Sequence, residues 1–238
     1  MADLHEGKLK TNLDTNFLKL IAVVSMVIDH VGGAFFPEQA VLRAIGRLAF
    51  PLFCYCMTVG LLYTHDIRKY LIRLGVFAIL SQPFYVFAFH PHDFIENLLQ
   101  FNIFFTLFLS LLSLWGFKEK KWWLFALALF ALCWWNFDYS GNGVILMLIF
   151  YCCRNRPKLG AVLYALFWLP ALLPAEAGWG TITLLGWTFK WQAFAILALP
   201  LIYCCTRVHP KIHKYFYYAV YPVHLAAIGL VQLVLAAR

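Results

Sequence analysis

The apolar run FLKLIAVVSMVIDHVGGAFF, residues 17–36, is followed after a short polar break by VLRAIGRLAFPLFCYCMTVGLLY, residues 41–63. Both runs have the length and greasiness of membrane spans, yet the first carries Asp29 and His30 and the second Arg43 and Arg47. Ionisable groups inside a span are costly, and they mark a pathway or a site. The break, Pro37-Glu38-Gln39, is short, which predicts two antiparallel helices. Asp29 and Arg47 lie equally far either side of Glu38, so a hairpin folded there sets them at the same depth. An acid, an imidazole and a guanidinium are thereby expected together in the dry part of one bundle.

The composition agrees with a membrane protein. Of 238 residues 63% are apolar and only 13% charged, and the mean hydropathy is +0.75. A soluble domain is nearer about half apolar and about a quarter charged. The net charge of +8 would suggest nucleic acid in a soluble chain. Here the placement of the basic residues matters more, because basic loops orient membrane proteins, and no nucleic acid is expected. Aromatic residues, nine of them Trp, suit interfacial belts. The polar start leads straight into a full-length run, so no cleaved signal peptide is expected. Seven Cys form no metal spacing and no disulfide framework, and they read as reduced packing residues.

Apolar runs give nine candidate spans: 16–36, 42–64, 69–89, 101–117, 122–136, 143–153, 159–174, 191–205 and 215–236. The expected fold is all-α, a polytopic membrane bundle forming a single domain over 1–238. Several of the later runs are shorter than the roughly 20 residues that cross a bilayer. The apolar break at 175–190 reads as a re-entrant or interfacial piece. Of the 19 Lys and Arg, fifteen fall in alternate breaks: Lys8, Lys10 and Lys19; Arg68, Lys69 and Arg73; Lys118, Lys120 and Lys121; Arg154, Arg156 and Lys158; Arg207, Lys211 and Lys214. The other side keeps Arg43, Arg47, Lys190 and Arg238. That alternation predicts a cytoplasmic N-terminus and an external C-terminus in a bacterial inner membrane.

This topology draws polar residues from five segments toward the outer leaflet: Asp29 and His30, Arg43 and Arg47, Ser81-Gln82, Asn102 and Thr106 on one face, and Asp138-Tyr139. An imidazole takes up and returns a proton near neutral pH, which suits His30 for general-base work, although such a His can also be a plain helix–helix hydrogen bond. Neighbours on a helix point about 100° apart, so Asp29 is expected to pair with Arg47 or Arg43 while His30 faces the centre. The arginines read either as counter-charges for Asp29 or as stabilisers of an oxyanion in acyl transfer. His224, in YPVHL, reads first as a satisfied interhelical His. Arg68, Lys69 and Arg73 could hold phosphates from the inside, although orientation alone accounts for them. His90 and His92 with Asp93 and Glu96 read as a solvated loop rather than a metal site, and no metal is expected. No P-loop, dinucleotide fingerprint, nucleophile elbow or zinc-protease motif occurs.

The segments LKLIAVVSMVIDHVG, LRAIGRLAFPLFCY, YLIRLGVFAILSQPF, NIFFT, DYSGNGV and YFYYAVYPVHL resemble, in order and over nearly the whole chain, the TraX family, named for a conjugal-transfer pilin acetylase. The family is similar to a wider group of membrane acyltransferases whose first helix opens with a basic residue and ends in a functional His, a pattern Lys19 and His30 match. The resemblance implies a transferase that moves an acetyl group from cytoplasmic acetyl-CoA, or another acyl-CoA, to an exported peptide, glycan or small-molecule acceptor. It implies His30 as the catalytic His, with Asp29, Arg47, Asn102 and Asp138 in support. Arg43, Gln82, Thr106, Tyr139 and His224 complete the expected acceptor side, and Lys19, Arg68, Lys69 and Arg73 the coenzyme A side. Ser140 stands where the pattern expects Gly after Asp138-Tyr139. A proton-coupled transporter, or an assembly protein whose buried charges only fix packing, would present the same buried ions.

Overall fold

A computed structural model describes residues 11–91, 93–135, 137–206, 208 and 210–237. The expected positions of Lys8, Lys10, His92, Arg207 and Arg238 lie outside the described residues. In order, the helices are α1 (Thr15–Phe35), α2 (Ala40–Gly46), α3 (Ala49–Tyr63), α4 (Ile67–Phe89), α5 (Ile103–Lys118), α6 (Trp122–Trp134), α7 (Asn142–Cys152), α8 (Pro157–Trp168), α9 (Ala198–Tyr203) and α10 (Lys214–Ala236). Two short 3-10 segments, Leu169–Leu172 and Trp191–Leu197, and two strands, β1 (Thr181–Leu184) and β2 (Trp187–Lys190), complete the list.

All nine apolar runs contain helix, but they differ in length. Among the described residues four stretches are long and apolar enough to cross: Thr15–Phe35, Ala40–Tyr63, Ile67–Phe89 and Lys214–Ala236. The others are shorter because charged or polar turns cut them. Helix α5, with 16 residues, rises about 24 Å at about 1.5 Å per residue. That falls short of a hydrocarbon core about 30 Å thick. It stops where Lys120 takes a positive φ of 58° and turns the chain back into α6.

The second long stretch is not one helix, as the run 42–64 had suggested. It breaks between α2 and α3 at Arg47-Leu48. Pro51 explains the break, since its ring cannot sit four residues after a helical carbonyl and its nitrogen has no hydrogen to give. The chain restarts at Ala49, so Pro51 falls in the first turn of α3, where neither defect matters. Across the break Arg47 and Leu48 donate to carbonyls only three residues back, Ala44 and Ile45, at 3.2 Å each.

The chain divides into two compact units, with α1, α3 and α7 contributing to both. The first holds residues up to Gly33, Pro37–Val59 and Leu148–Lys211. The segment before α1 is fastened within it by Asn12, fully buried. The Asn12 amide donates to the Leu201 carbonyl at 2.8 Å, and Thr206 donates to Asp14 at 2.8 Å. The Tyr55 hydroxyl donates to the Asn12 carbonyl at 2.6 Å, and its ring meets Phe150 edge-on at 5.3 Å. The break at 175–190, expected to be re-entrant or interfacial, contains an antiparallel hairpin pairing Thr181 with Lys190 and Leu184 with Trp187. Leu185 and Gly186 turn it with positive φ of 51° and 81°, the two-residue turn that matches strand twist.

The second unit holds Ala34–Phe36, Gly60–Met147 and Ile212–Arg238. In it α10 lies against α4: Phe77 stacks on Tyr218 at 5.0 Å. A Cβ on Gly229 would fall 2.2 Å from the Phe87 ring, so a glycine is required for that approach. Ile72, Ile79 and Leu80 on α4, and Val223, Leu230 and Val234 on α10, are left exposed by the protein. Runs of bare aliphatic side chains on membrane-length helices are surfaces for hydrocarbon.

Candidate active site

Asp29 sits in the last third of α1 and is only 9% exposed, as is Arg47 at the helix break. Arg47 reaches it with Nη2 at 2.6 Å from Oδ1, and Arg43 with Nη1 at 3.1 Å from Oδ2. Arg43 Nη1 also donates to the Asp29 backbone carbonyl at 2.9 Å. One carboxylate is thus held by two guanidiniums, and the pairing the sequence suggested with one arginine occurs with both. Buried ion pairs of this kind hold only when the remaining hydrogen-bonding capacity is met.

The helix break supplies that. Because Arg47 N–H turns to Ala44, the Arg43 carbonyl loses its ordinary helical donor, and the Arg47 Nε takes the place at 3.0 Å. Arg47 Nη1 donates to Gln192 Oε1 at 3.3 Å, in the 3-10 segment that follows β2. Beside it the buried Trp191 ring lies 5.6 Å from the Arg43 guanidinium carbon, and Trp179 meets Trp191 edge-on at 5.3 Å. Room for the carboxylate comes from Gly46, where a Cβ would lie 2.2 Å from Asp29 Oδ1. His30, next along α1, is half-buried.

In the same unit Lys19 is half-buried on α1.

The other expected residues belong to the second unit and are described there by themselves. Gln82 Nε2 donates to the carbonyls of Leu98 and Gln100 at 3.0 and 2.8 Å. Gln82 Oε1 accepts from the backbone and side-chain nitrogens of Asn102 at 3.1 and 2.8 Å. Asn102, fully buried, also donates to the Ala78 carbonyl at 2.8 Å and caps α5 through Phe104 N–H at 3.0 Å. Thr106 donates to the Asp138 carbonyl at 2.9 Å, while the Asp138 side chain is exposed. Phe101 bridges to Phe137 and stacks on it at 4.8 Å. These groups fasten the loop before α5 and the loop before α7.

Tyr139 and Ser140 take φ of 64° and 44°. That left-handed backbone is the physical reason to expect glycine at 140. Ser140 offsets part of the strain by donating to the Leu132 carbonyl at 3.1 Å.

His224 hydrogen-bonds through Nδ1 to the Val220 carbonyl of its own helix at 2.7 Å, and its ring meets Tyr221 edge-on at 5.5 Å. At the start of α4, Arg68 and Lys69 are exposed and Lys69 pairs with Asp66 at 3.5 Å. Asp66 caps the helix by accepting from Lys69 N–H at 3.1 Å. That bond, with smaller help from the Lys69 side chain and charge, holds the carboxyl below its ordinary pKa. Arg73 lies 5.9 Å over the Tyr70 ring. His90 ends α4, its N–H donating to the Val86 carbonyl at 2.7 Å.

Gly46, Trp191 and Gln192 escaped sequence reasoning. Pro51 was the signal for the break that brings Arg47 round. Gln192 carried none, since it is uncharged and lies 145 positions from its partner.

Comparison with known proteins gives a consistent family. A 108-residue stretch is 37% identical to the "Probable fimbrial assembly protein FimC, serogroup H1" of Dichelobacter nodosus, covering 41% of this chain and 43% of that one. A 46-residue stretch, 19% of this chain, is 48% identical to an uncharacterised Rickettsia prowazekii protein, of which it covers 18%. The chain thus spans less than half the length of these two relatives. Protein TraX of Escherichia coli K12 is 26% identical over 228 residues, 92% of this chain and 87% of that one. No solved structure matches. The family model described as TraX protein matches residues 14–232, and the chain belongs to the TraX family.

Proposed function

We propose that the Asp29–Arg43–Arg47 cluster beside His30 is the reaction centre of a membrane-bound, acyl-CoA-dependent acetyltransferase. Family membership carries the activity, and the chain is a multi-pass protein of the bacterial inner membrane. In this reading the basic alternation sets the N-terminus inside and lets all nine helical runs enter the bilayer, the short ones across a thinned region. The cluster then lies in the outer half. Acetyl-CoA enters from the cytoplasmic face, and the acceptor enters from outside.

His30 takes the proton of an acceptor amine or hydroxyl as that group attacks the thioester carbonyl carbon. The carbonyl oxygen becomes an oxyanion, stabilised by the field of the paired guanidiniums in a dry site. Collapse breaks the carbon–sulfur bond, and the departing coenzyme A thiolate recovers the proton from His30. Asp29 fixes both arginines. In the second unit Gln82, Asn102 and Thr106 hold the loops before α5 and α7. The acceptor is an exported peptide, glycan or small molecule, and the fimbrial-assembly name of the Dichelobacter relative favours a subunit of an exported fibre.

The observation that carries this reading is a buried carboxylate bridged by two arginines next to a histidine on the same helix. Purified protein in lipid nanodiscs, given labelled acetyl-CoA and an envelope extract of peptides and glycans, should transfer label. His30→Ala should lower the rate about 100- to 10,000-fold while the protein keeps its thermal stabilisation by coenzyme A. Near-normal transfer by that variant would remove His30 from the mechanism.

A further inference from the structure

We infer that Gln192 supplies the hydrogen-bond donor that meets the carbonyl oxygen of the acyl group during transfer. The inference rests on the acyl-transfer reading above and adds a residue to it.

A guanidinium has five N–H donors and no acceptor. The amide atom of Gln192 that faces Arg47 Nη1 at 3.3 Å is therefore its oxygen, and the orientation of the amide is fixed by chemistry. The Nε2 group must then point away from Arg47. It is buried and has no hydrogen-bond partner among the described residues. A buried amide donor without an acceptor is a costly feature, and in a native fold such a group calls for an explanation. Gln82, the other glutamine at a polar cluster, shows the ordinary outcome, with Nε2 shared between two carbonyls.

The acceptor this donor lacks is an atom with a free lone pair, such as a carbonyl oxygen. The thioester carbonyl of an acyl-CoA is such an oxygen, and it gains negative charge as the acceptor attacks. Three of the Arg47 bonds brace other groups, to the Arg43 carbonyl, Asp29 and Gln192. Arg47 thus aims Gln192 as well as charging the site, and the amide is preorganised before substrate arrives. A donor held in place this way stabilises the oxyanion without reorganising at the moment of reaction. The atoms of the transfer are unchanged: Gln192 gives no proton and forms no covalent bond.

Two variants separate donation from bracing. Gln192→Glu keeps an oxygen for Arg47 and removes the donor; Gln192→Leu removes both. With full-length protein in nanodiscs and labelled acetyl-CoA, Gln192→Glu should lose about 100-fold in rate, with little change in KM for acetyl-CoA. Transfer by Gln192→Glu close to wild type would overturn the inference and leave Gln192 as a brace. Should that variant not fold, Gln192→Leu is read by the infrared carbonyl stretch of bound carbon-13-labelled acetyl-CoA. The shift to lower frequency in the wild type should shrink in Gln192→Leu, and an identical shift in both would overturn the assignment. The underlying reading fails differently, through a His30→Ala protein that transfers label normally.

Discussion

The two units each bury a polar cluster inside apolar helices, and the clusters balance their costs in opposite ways. Around Gln82 and Asn102 every bond is neutral, and the recipients include loop and helix carbonyls 16, 18 and 24 positions away. Around Asp29 the partners are ions drawn from α1 and α2, with Gln192 brought in from far along the chain. The first arrangement holds backbone in place. The second holds charge in a place where charge is expensive. Buried polarity alone therefore says little about chemistry; what each polar atom is bonded to separates a backbone fastening from a buried ion cluster.

The largest effect expected comes from breaking the charged cluster. Asp29→Leu leaves two guanidiniums without their bridging carboxylate and should cost about 3–5 kcal/mol, read by thermal unfolding in detergent. Replacing Asp29, Arg43 and Arg47 together by leucine should recover most of that stability and none of the transfer, because packing returns and the field does not. A triple variant as unstable as the single one would show that the charges matter to the fold as fastenings do.

A smaller effect is expected at the neutral cluster. Gln82→Leu strips the donors and acceptor that hold the loop before α5, at about 1–3 kcal/mol, and transfer per folded molecule should change little. A selective loss of kcat at unchanged stability would move Gln82 from fastening to chemistry. Ser140→Gly should be nearly neutral. It relieves left-handed strain of about 1–2 kcal/mol and gives up a hydrogen bond worth about 0.5–1.5 kcal/mol, so the melting temperature should hardly move.

How much of this could be read in advance differs residue by residue. Asp29 and Arg47 were legible because a helical hairpin converts distance from its bend into depth. Arg43 was legible as a counter-charge for Asp29, but that both arginines hold the carboxylate at once was not, since it depends on a helix that stops at residue 46. Pro51 carried the hint, but the run around it is apolar throughout and reads as a single span over 42–64. The hairpin at 181–190 was hidden similarly. Thr and aromatic alternation around Leu185-Gly186 is a strand–turn–strand signature, masked by an apolar composition that suggests membrane. Gln82 and Asn102 were visible as polar residues in apolar surroundings, but their bonds to backbone cannot be seen in a sequence. Span length was legible only in part, because hydropathy reports which residues avoid water, whereas the geometry of turns decides how long each helix runs.

The space beside Asp29 has a consequence for how this protein can vary. An acid oxygen occupies the volume where any residue but glycine would carry its first side-chain carbon at position 46. Acid and glycine are in that sense one two-residue character. A lineage that lengthens either must rebuild the other in the same step, so the seam between the first two helices is a poor place for gradual change and a good one for recognising distant kin.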